Sequence, residues 1–278
     1  QVVMQGVPTS GAARDPSQIP GTTDPRSADA DPRAIPTAPA APPKAPLPGY
    51  WRQVGAILAK DLAAEVHTRE LLSAMGIFAV LALLIFSFAL NMQGNAAGAA
   101  VPGVLWTTLA FAGTLGLSRS LAREQVTGGL EGMLLSPVER TAIFTGKALG
   151  NWLLMLVVAL VLWLLSAVLF NLGLRNMGLL PGLLPGLIPV LLLGTGGYAV
   201  VGTLLAAIAV NTRAREVLLP VLLLPLLIPL LIAAVQATGG LMQGLSAAAG
   251  GSWLRLLVVY NLLAVAVALL TFEYVVEE

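Results

Sequence analysis

The pattern of hydrophobic and polar positions divides the chain into three parts. Residues 1–48 show no apolar period, residues 50–70 mix apolar and charged positions at helical spacing, and the remainder is dominated by long apolar runs. A transmembrane helix needs about 20 apolar residues, with a usual range of about 17–25. The runs that meet this length contain no ionisable side chain, and they are Leu71–Leu90, Val101–Leu117, Ala148–Phe170, Leu187–Val210, Val217–Val235 and Leu256–Phe272. The pattern therefore predicts an all-α integral membrane protein with six transmembrane helices.

Two of these runs contain several prolines. The stretch Met177–Val210 is too long for one straight span, so we expect part of it to form a short helix or a re-entrant turn. In the fifth run, the prolines are expected to kink the helix, and neighbouring helices must then satisfy the freed carbonyls. The prolines are Pro181, Pro185 and Pro189 in the fourth run, and Pro220, Pro225 and Pro229 in the fifth.

The segment that precedes the first span is predicted to be an amphipathic helix at the membrane surface. It is either a simple anchor or a surface that a partner contacts. Its apolar residues recur at helical spacing and its charged residues take other faces. The apolar set is Trp51, Val54, Leu58, Leu62 and Val66, and the charged set is Arg52, Lys60, Asp61, Glu65 and Arg69.

A polar island, Arg119–Lys147, separates the second and third spans. Gly128 and Gly129 are expected to end any continuation of the second span. Beyond them, Leu130 and Leu134 fall on one helical face with Met133, and Glu131 lies in the first turn, where the helix dipole favours an anion. The pattern predicts a short amphipathic helix over about residues 128–136, roughly parallel to the membrane.

The next helix is predicted to begin at Ser136. Ser136 suits an N-cap, Pro137 suits the first helical position, and Glu139 would complete a capping box. From there the helix is expected to run through Lys147 into the third span. The island is then either an ordinary loop packed against the bundle or a docking helix that fits a groove on a soluble partner.

Basic residues near the ends of the spans predict the orientation. One side of the membrane receives Arg52, Lys60, Arg69, Arg119, Arg123, Arg140, Lys147, Arg213 and Arg215, and the other receives Arg175 and Arg255. Since cytoplasmic loops are enriched in Lys and Arg, both termini and the polar island are predicted to be cytoplasmic.

Composition agrees with a membrane protein and narrows its chemistry. The chain is 57% hydrophobic and only 10% charged, whereas soluble domains contain about 25% charged residues. A net charge of +1 gives no basic field for nucleic acid, and the absence of cysteine excludes thiolate metal sites and thiol nucleophiles. Residues 1–48, rich in Pro and Ala with balanced charges, are predicted to be a disordered tail, and residues 49–278 the membrane domain.

Few residues suggest catalysis. The single histidine, His67, is expected to be a solvated surface residue. Gly146 and Lys147 resemble the end of a phosphate-binding loop, but Thr141 replaces its first glycine and Ala148 follows the lysine. The spans hold no paired carboxylates, which disfavours a proton-coupled carrier. We therefore predict no catalytic residue and no metal site.

Methionine and glycine are predicted to serve packing. Met75, Met92, Met177 and Met242 are more often gap-filling residues than haem or copper ligands. Gly194, Gly196, Gly197 and Gly202 permit close helix approach, either within the monomer or in a homodimer.

Two segments of the chain resemble the CcmB family, the membrane permease subunits of an ABC transporter used in cytochrome c maturation. The first reads EQVTGGLEGMLLSPVERTAIFTGKALGNWLL and is similar to the family pattern G-x-L-E-x-L-L-L-x-P. The second reads KDLAAEVHTRELLSAM and is similar to K-D-L-x-x-E-x-R-x-[RK]-E. The resemblance covers residues 50 to about 275. His67 stands where arginine is common, and Gly132 and Met133 replace the usual alanine and leucine.

The resemblance implies a type-2 ABC exporter permease in the bacterial inner membrane, working as a dimer with a separate ATP-binding subunit of the CcmA type and with other cytochrome c maturation membrane proteins. ATP would bind to that partner, and haem would be the cargo rather than a cofactor of this chain. The contacts that couple this chain to the ATP-binding subunit would fall on Glu124, Gly129, Leu130, Glu131, Leu134, Leu135, Ser136 and Pro137. The interface helix would contribute Lys60, Asp61, Glu65, Arg69 and Glu70. A type-2 exporter for a drug, lipid or polysaccharide, or a membrane scaffold that transports nothing, remain the alternatives.

Overall fold

The computed structural model describes residues 49–90, 95–127, 138–170, 180–209, 215–243 and 247–275. These residues form helices, and no strand occurs among them. The helices are α1 (Tyr50–Thr68), α2 (Glu70–Leu90), α3 (Asn95–Thr127), α4 (Arg140–Leu169), α5 (Leu180–Ala209), α6 (Arg215–Met242) and α7 (Ala247–Val275).

The six predicted transmembrane helices are confirmed. α2 to α7 each contain a segment long and apolar enough to cross a membrane, and all six predicted runs overlap these segments. The segments are Glu70–Leu90, Ala100–Ser120, Arg140–Leu169, Gly186–Ala209, Val217–Met242 and Gly251–Thr271. The protein is therefore an all-α, multi-pass membrane protein.

The core of the bundle forms around α3. This helix packs against α2, α4, α5 and α6, and its side chains Leu105, Trp106 and Leu109 are at most 2% exposed. α6 supplies buried leucines, among them Leu223 and Leu227. The outward sides of α2, α4, α6 and α7 carry exposed leucine, valine, isoleucine and phenylalanine, which is the surface that a lipid bilayer covers.

Glycines allow the helices of this core to approach closely. A Cβ at Gly194 of α5 would overlap the Trp106 ring, and a Cβ at Gly202 would overlap Leu117. On the other side of α5, Gly197 lies against Leu230 and Asn261. The prediction that these glycines serve helix packing is confirmed, and the packing that the structure describes lies within the monomer.

The predicted break in the fourth span is wrong. α5 is one continuous helix of 30 residues, Leu180–Ala209, although it contains three prolines. Pro181 lies in the first turn, where a backbone N–H has no intrahelical partner to lose. Pro185 and Pro189 each remove one hydrogen bond but leave the helix unbroken. At a rise of about 1.5 Å per residue the helix is roughly 45 Å long, so it extends beyond a hydrocarbon core of about 30 Å.

α6 also runs through its three prolines, Pro220, Pro225 and Pro229. The carbonyl of Leu226 accepts a hydrogen bond of 2.9 Å from the Tyr260 hydroxyl of α7. This carbonyl is not one that a proline frees, because the N–H missing at Pro229 would have bonded to the carbonyl of Pro225. The predicted kink, and the satisfaction of the freed carbonyls by neighbouring helices, stay predictions.

Candidate functional site: the charged end of the bundle

The described charged side chains concentrate where α1 meets the end of α3 and the start of α4. We call this region the charged end. α1 packs along α4, and Gly146 of α4 makes this approach possible: a Cβ there would lie 2.9 Å from the Ile57 Cβ and 3.3 Å from the Val54 carbonyl oxygen. The Tyr50 and Thr145 hydroxyls are hydrogen-bonded at 2.8 Å. The first turn of α1 and the second turn of α4 are therefore held against each other.

The bundle-facing side of α1 carries Gln53, Ile57, Asp61 and Glu65 at four-residue intervals, and three of these four side chains are polar. Residues at this spacing form one ridge along a helix. Gln53 and Glu65 are 4% and 1% exposed, so polar groups are buried against the protein together with the apolar Val54 and Ile57. The apolar stripe runs from buried Val54 round to the side that carries Trp51 and Val66, 75% and 66% exposed. This exposed stripe is what a helix lying on lipid acyl chains presents.

Asp61 links α1 to α4 by charge. Its carboxylate lies 3.7 Å from the Lys147 Nζ and 3.2 Å from the Lys60 Nζ of its own helix. The Lys147 side chain is only 10% exposed, so this ion pair lies in a partly desolvated place between the two helices.

Glu65 occupies the junction of α1, α2 and α3. Its backbone carbonyl accepts the Arg69 N–H at 2.6 Å, which ends α1 with Arg69 in the left-handed conformation at φ 51°. One carboxylate oxygen, Oε1, accepts the Leu72 N–H of the first turn of α2 at 2.9 Å. The other, Oε2, lies 3.7 Å from Arg123 Nη1 of α3. A buried carboxylate with these partners acts as a cap for α2 and as an ion-pair partner for α3.

The polar island is described at both ends. α3 is described as far as Thr127. Gly128 and Gly129, which are predicted to end this helix, lie outside the described residues, so their role stays a prediction. The predicted capping box is wrong, because α4 begins at Arg140 with Glu139 as its N-cap residue. The Glu139 side chain makes no capping hydrogen bond, and its backbone N–H donates instead to Gln53 Oε1 of α1 at 2.9 Å. The backbone N–H at the start of α4 is thus satisfied by a side chain of another helix, Gln53 of α1.

The predicted coupling residues lie mostly outside the described residues. Glu124 belongs to α3, but its side chain is not described. Gly129, Leu130, Glu131, Leu134, Leu135, Ser136 and Pro137 fall between α3 and α4, and with them the predicted helix over 128–136. Their coupling role stays a prediction.

The predicted residues of the interface helix occupy two different environments. Lys60, Arg69 and Glu70 are exposed, whereas Asp61 is half-buried and Glu65 is buried in contacts within the chain. His67 is exposed, with Nδ1 2.7 Å from the Ala63 carbonyl oxygen, in agreement with a surface histidine. Sequence reasoning missed Gln53 and Gly146. The four-residue ridge was the available signal for Gln53.

Polar side chains inside the spans join the helices to one another. Each forms a hydrogen bond to a neighbouring helix, which favours association in lipid. The pairs are Trp106 with Thr238 (3.0 Å), Thr114 with Tyr198 (2.7 Å), Asn151 with Thr203 (2.9 Å), Trp152 with Thr195 (3.1 Å) and Asn261 with the Leu193 carbonyl (2.9 Å). Among the described residues, no three His, Asp or Glu side chains lie close enough together to hold a metal ion.

Comparison with known proteins identifies the family. The model of the CcmB protein family matches residues 52–277, which span the region from α1 to the end of α7. The chain belongs to the CcmB family. It is also 30% identical over 168 residues to heme exporter protein B of Rhodobacter capsulatus, an alignment that covers 60% of this chain and 73% of that protein. The charged end described above is thus part of a CcmB-family membrane protein.

Proposed function

We propose that this chain is the membrane-embedded permease subunit of a haem exporter that serves cytochrome c maturation. The observation that carries the proposal is the CcmB-family match over residues 52–277, which includes every described helix of the membrane domain. The relative from Rhodobacter capsulatus bears the name heme exporter protein B. Six helices able to span a membrane agree with a permease.

In this proposal the energy comes from a separate ATP-binding subunit of the CcmA type. The sequence contains no phosphate-binding loop, so a partner chain must bind and hydrolyse the nucleotide. The partner docks at the charged end, on the segment between α3 and α4. Lys60, Arg69 and Glu70 supply exposed charge beside it, whereas Glu65 acts within the chain because it is buried.

The proposed arrangement places the charged end in the cytoplasm. The count of basic residues near the span ends, nine on this side against Arg175 and Arg255 on the other, supports an orientation with both termini cytoplasmic in a bacterial inner membrane. The permease acts as a dimer beside other cytochrome c maturation membrane proteins, and haem is its cargo rather than a bound cofactor.

The test combines partner capture with a functional readout in a strain that lacks the native gene. The tagged chain is expected to retain the ATP-binding subunit during purification and to restore covalent haem in cytochromes c. Leu134→Asp is expected to abolish both, because a carboxylate replaces an apolar docking contact, while the variant stays in the membrane. Glu131→Lys is expected to act in the same direction.

The matched control is Val259→Thr, which lies on the exposed side of α7 and far along the chain from the docking segment. It is expected to keep both activities. Normal cytochromes c in the deletion strain would reject the haem assignment, and full capture of the ATP-binding subunit by Leu134→Asp would reject the docking site.

A further inference from the structure

α1 contacts both of the helix ends that flank the docking segment. α3 ends at Thr127 and α4 begins at Arg140. On the α4 side, the Gln53 side chain accepts the backbone N–H of Glu139, which occupies the N-cap position of α4. On the α3 side, Glu65 faces Arg123, four residues before the helix end. One short helix therefore spans the distance between these two ends.

The α3 contact is reinforced by a second interaction. Arg123 Nη1 donates to the Thr68 hydroxyl of α1 at 3.4 Å, in addition to its ion pair with Glu65. Glu65 is 1% exposed. Its Oε2 accepts no hydrogen bond from the residues that the structure describes, and it lies 3.7 Å from the cationic Arg123. A buried carboxylate is costly without a compensating cation, and this cost holds Arg123 in place.

The contact between α1 and α4 leaves no space for a side chain at Gly146. A Cβ at position 146 would lie 2.9 Å from the Cβ of Ile57, an atom fixed to the backbone, so a side chain there requires α1 or α4 to shift. One turn further along α4, Gly150 also faces α1, but a Cβ there would meet Leu58 and Asp61 at 3.8 and 3.9 Å, which is ordinary contact. The two glycines form a matched pair. A Cβ at position 146 requires the helices to separate, whereas a Cβ at position 150 fits without a shift.

We propose that α1 is a tie that fixes the end of α3 relative to the start of α4, and that Gln53, Glu65 and Gly146 are its positioning residues. The three helices then move as one unit, and a displacement of the segment between α3 and α4 is transmitted to α1 and, through the Leu72 amide, to α2. This last consequence rests on the proposed function. The tie itself does not.

Spin-label distances test the tie without any partner. The sequence has no cysteine, so Arg119→Cys and Glu139→Cys, both exposed, can be labelled selectively on α3 and at the start of α4. Glu139 keeps its backbone N–H in this variant and its side chain makes no capping bond. In lipid nanodiscs, the parent is expected to give a single narrow distance distribution.

Two variants are expected to broaden that distribution and add longer distances. Gly146→Leu pushes α1 off α4. Glu65→Gln leaves an acceptor for the Leu72 amide but removes the charge that holds Arg123. Gly146→Ala, whose Cβ alone would lie 2.9 Å from the Ile57 Cβ, is also expected to broaden the distribution. Its matched control, Gly150→Ala, is expected to keep the narrow distribution. A narrow distribution in both Gly146→Leu and Glu65→Gln, with correct membrane insertion, would overturn the tie.

The coupling consequence needs a separate measurement. The tie variants are expected to retain the ATP-binding subunit but to attach less haem to cytochromes c, because the segment moves without α1 and α2. Arg123→Lys, which keeps the cation, is expected to retain more haem attachment than Arg123→Gln. Unchanged haem attachment in variants with a broadened distribution would overturn the transmission role. Loss of partner capture by the parent itself would reject the proposed function, and the spin-label result would still decide the tie.

Discussion

α3 and α7 both cross the membrane, and they have opposite surroundings. In the membrane-spanning part of α3, 72% of the residues are buried inside the bundle, against 11% in α7. The buried helix is the less hydrophobic one: it contains Gly113, Gly116, Thr108 and Thr114, whereas Leu262, Leu263 and Val267 of α7 are exposed. In a bilayer, the apolar solvent lies outside, so small and polar residues indicate the interior and continuous Leu and Val indicate the lipid face.

The largest expected effect comes from filling the α3–α5 contact. Gly194→Leu inserts a side chain where a Cβ alone would already overlap the Trp106 ring, and we expect a loss of about 3 kcal/mol in the free energy of unfolding. The measurement is denaturant unfolding in detergent micelles. Gly251→Leu is the control, because nothing lies within 4 Å of a Cβ there. Equal losses in both variants would contradict the packing described for α3.

A smaller difference is expected for truncation of one leucine in each helix. Leu109→Ala of α3, at 1% exposure, removes buried contacts and is expected to cost about 2 kcal/mol, the lower end of the range for buried leucines. Leu263→Ala of α7, at 61% exposure, is expected to cost about 0.5 kcal/mol or less, as surface substitutions do. The same unfolding assay compares them. A reversed order would mean that α7 is covered in the assembled protein.

The smallest expected effect concerns a hydrogen bond to α3. Tyr198 donates to the Ala110 carbonyl at 2.6 Å, and Tyr198→Phe is expected to cost about 1 kcal/mol, the usual scale for such bonds between transmembrane helices. Tyr260→Phe, which removes the more exposed bond between α7 and Leu226, is expected to cost less. Thermal unfolding followed by tryptophan fluorescence distinguishes the two, and a larger loss for Tyr260→Phe would contradict the comparison.

The length of the apolar runs was enough to predict the spans, because every helix that crosses the membrane needs about 20 apolar residues. The start of α4 was not predictable, because its cap comes from Gln53, 86 residues away in sequence. Local capping rules consider only nearby residues, so they favoured Ser136.

At the charged end, too, contacts between residues far apart in sequence could not be predicted from local patterns. That Asp61 and Glu65 belong to a helix was predictable from spacing, but the direction in which they point depends on which helix lies opposite. The role of Gly146 likewise follows from its contact with Ile57 and has no signature in the sequence of α4 alone. The coupling residues between α3 and α4 stay a prediction.

The polar bundle-facing side of α1 has a consequence for biogenesis. Its partners are synthesised late: Tyr50 bonds to a residue 95 positions further along the chain, which takes about 5–20 s to appear at a synthesis rate of about 5–20 residues per second. Until α4 is made, we expect Gln53 and Asp61 to face water, and the exposed Trp51 and Val66 to face lipid. A leucine-rich face at these positions would be a target for aggregation or for premature insertion. The amphipathic pattern of α1 thus suits a helix that lies at the membrane surface before its partner helix is synthesised.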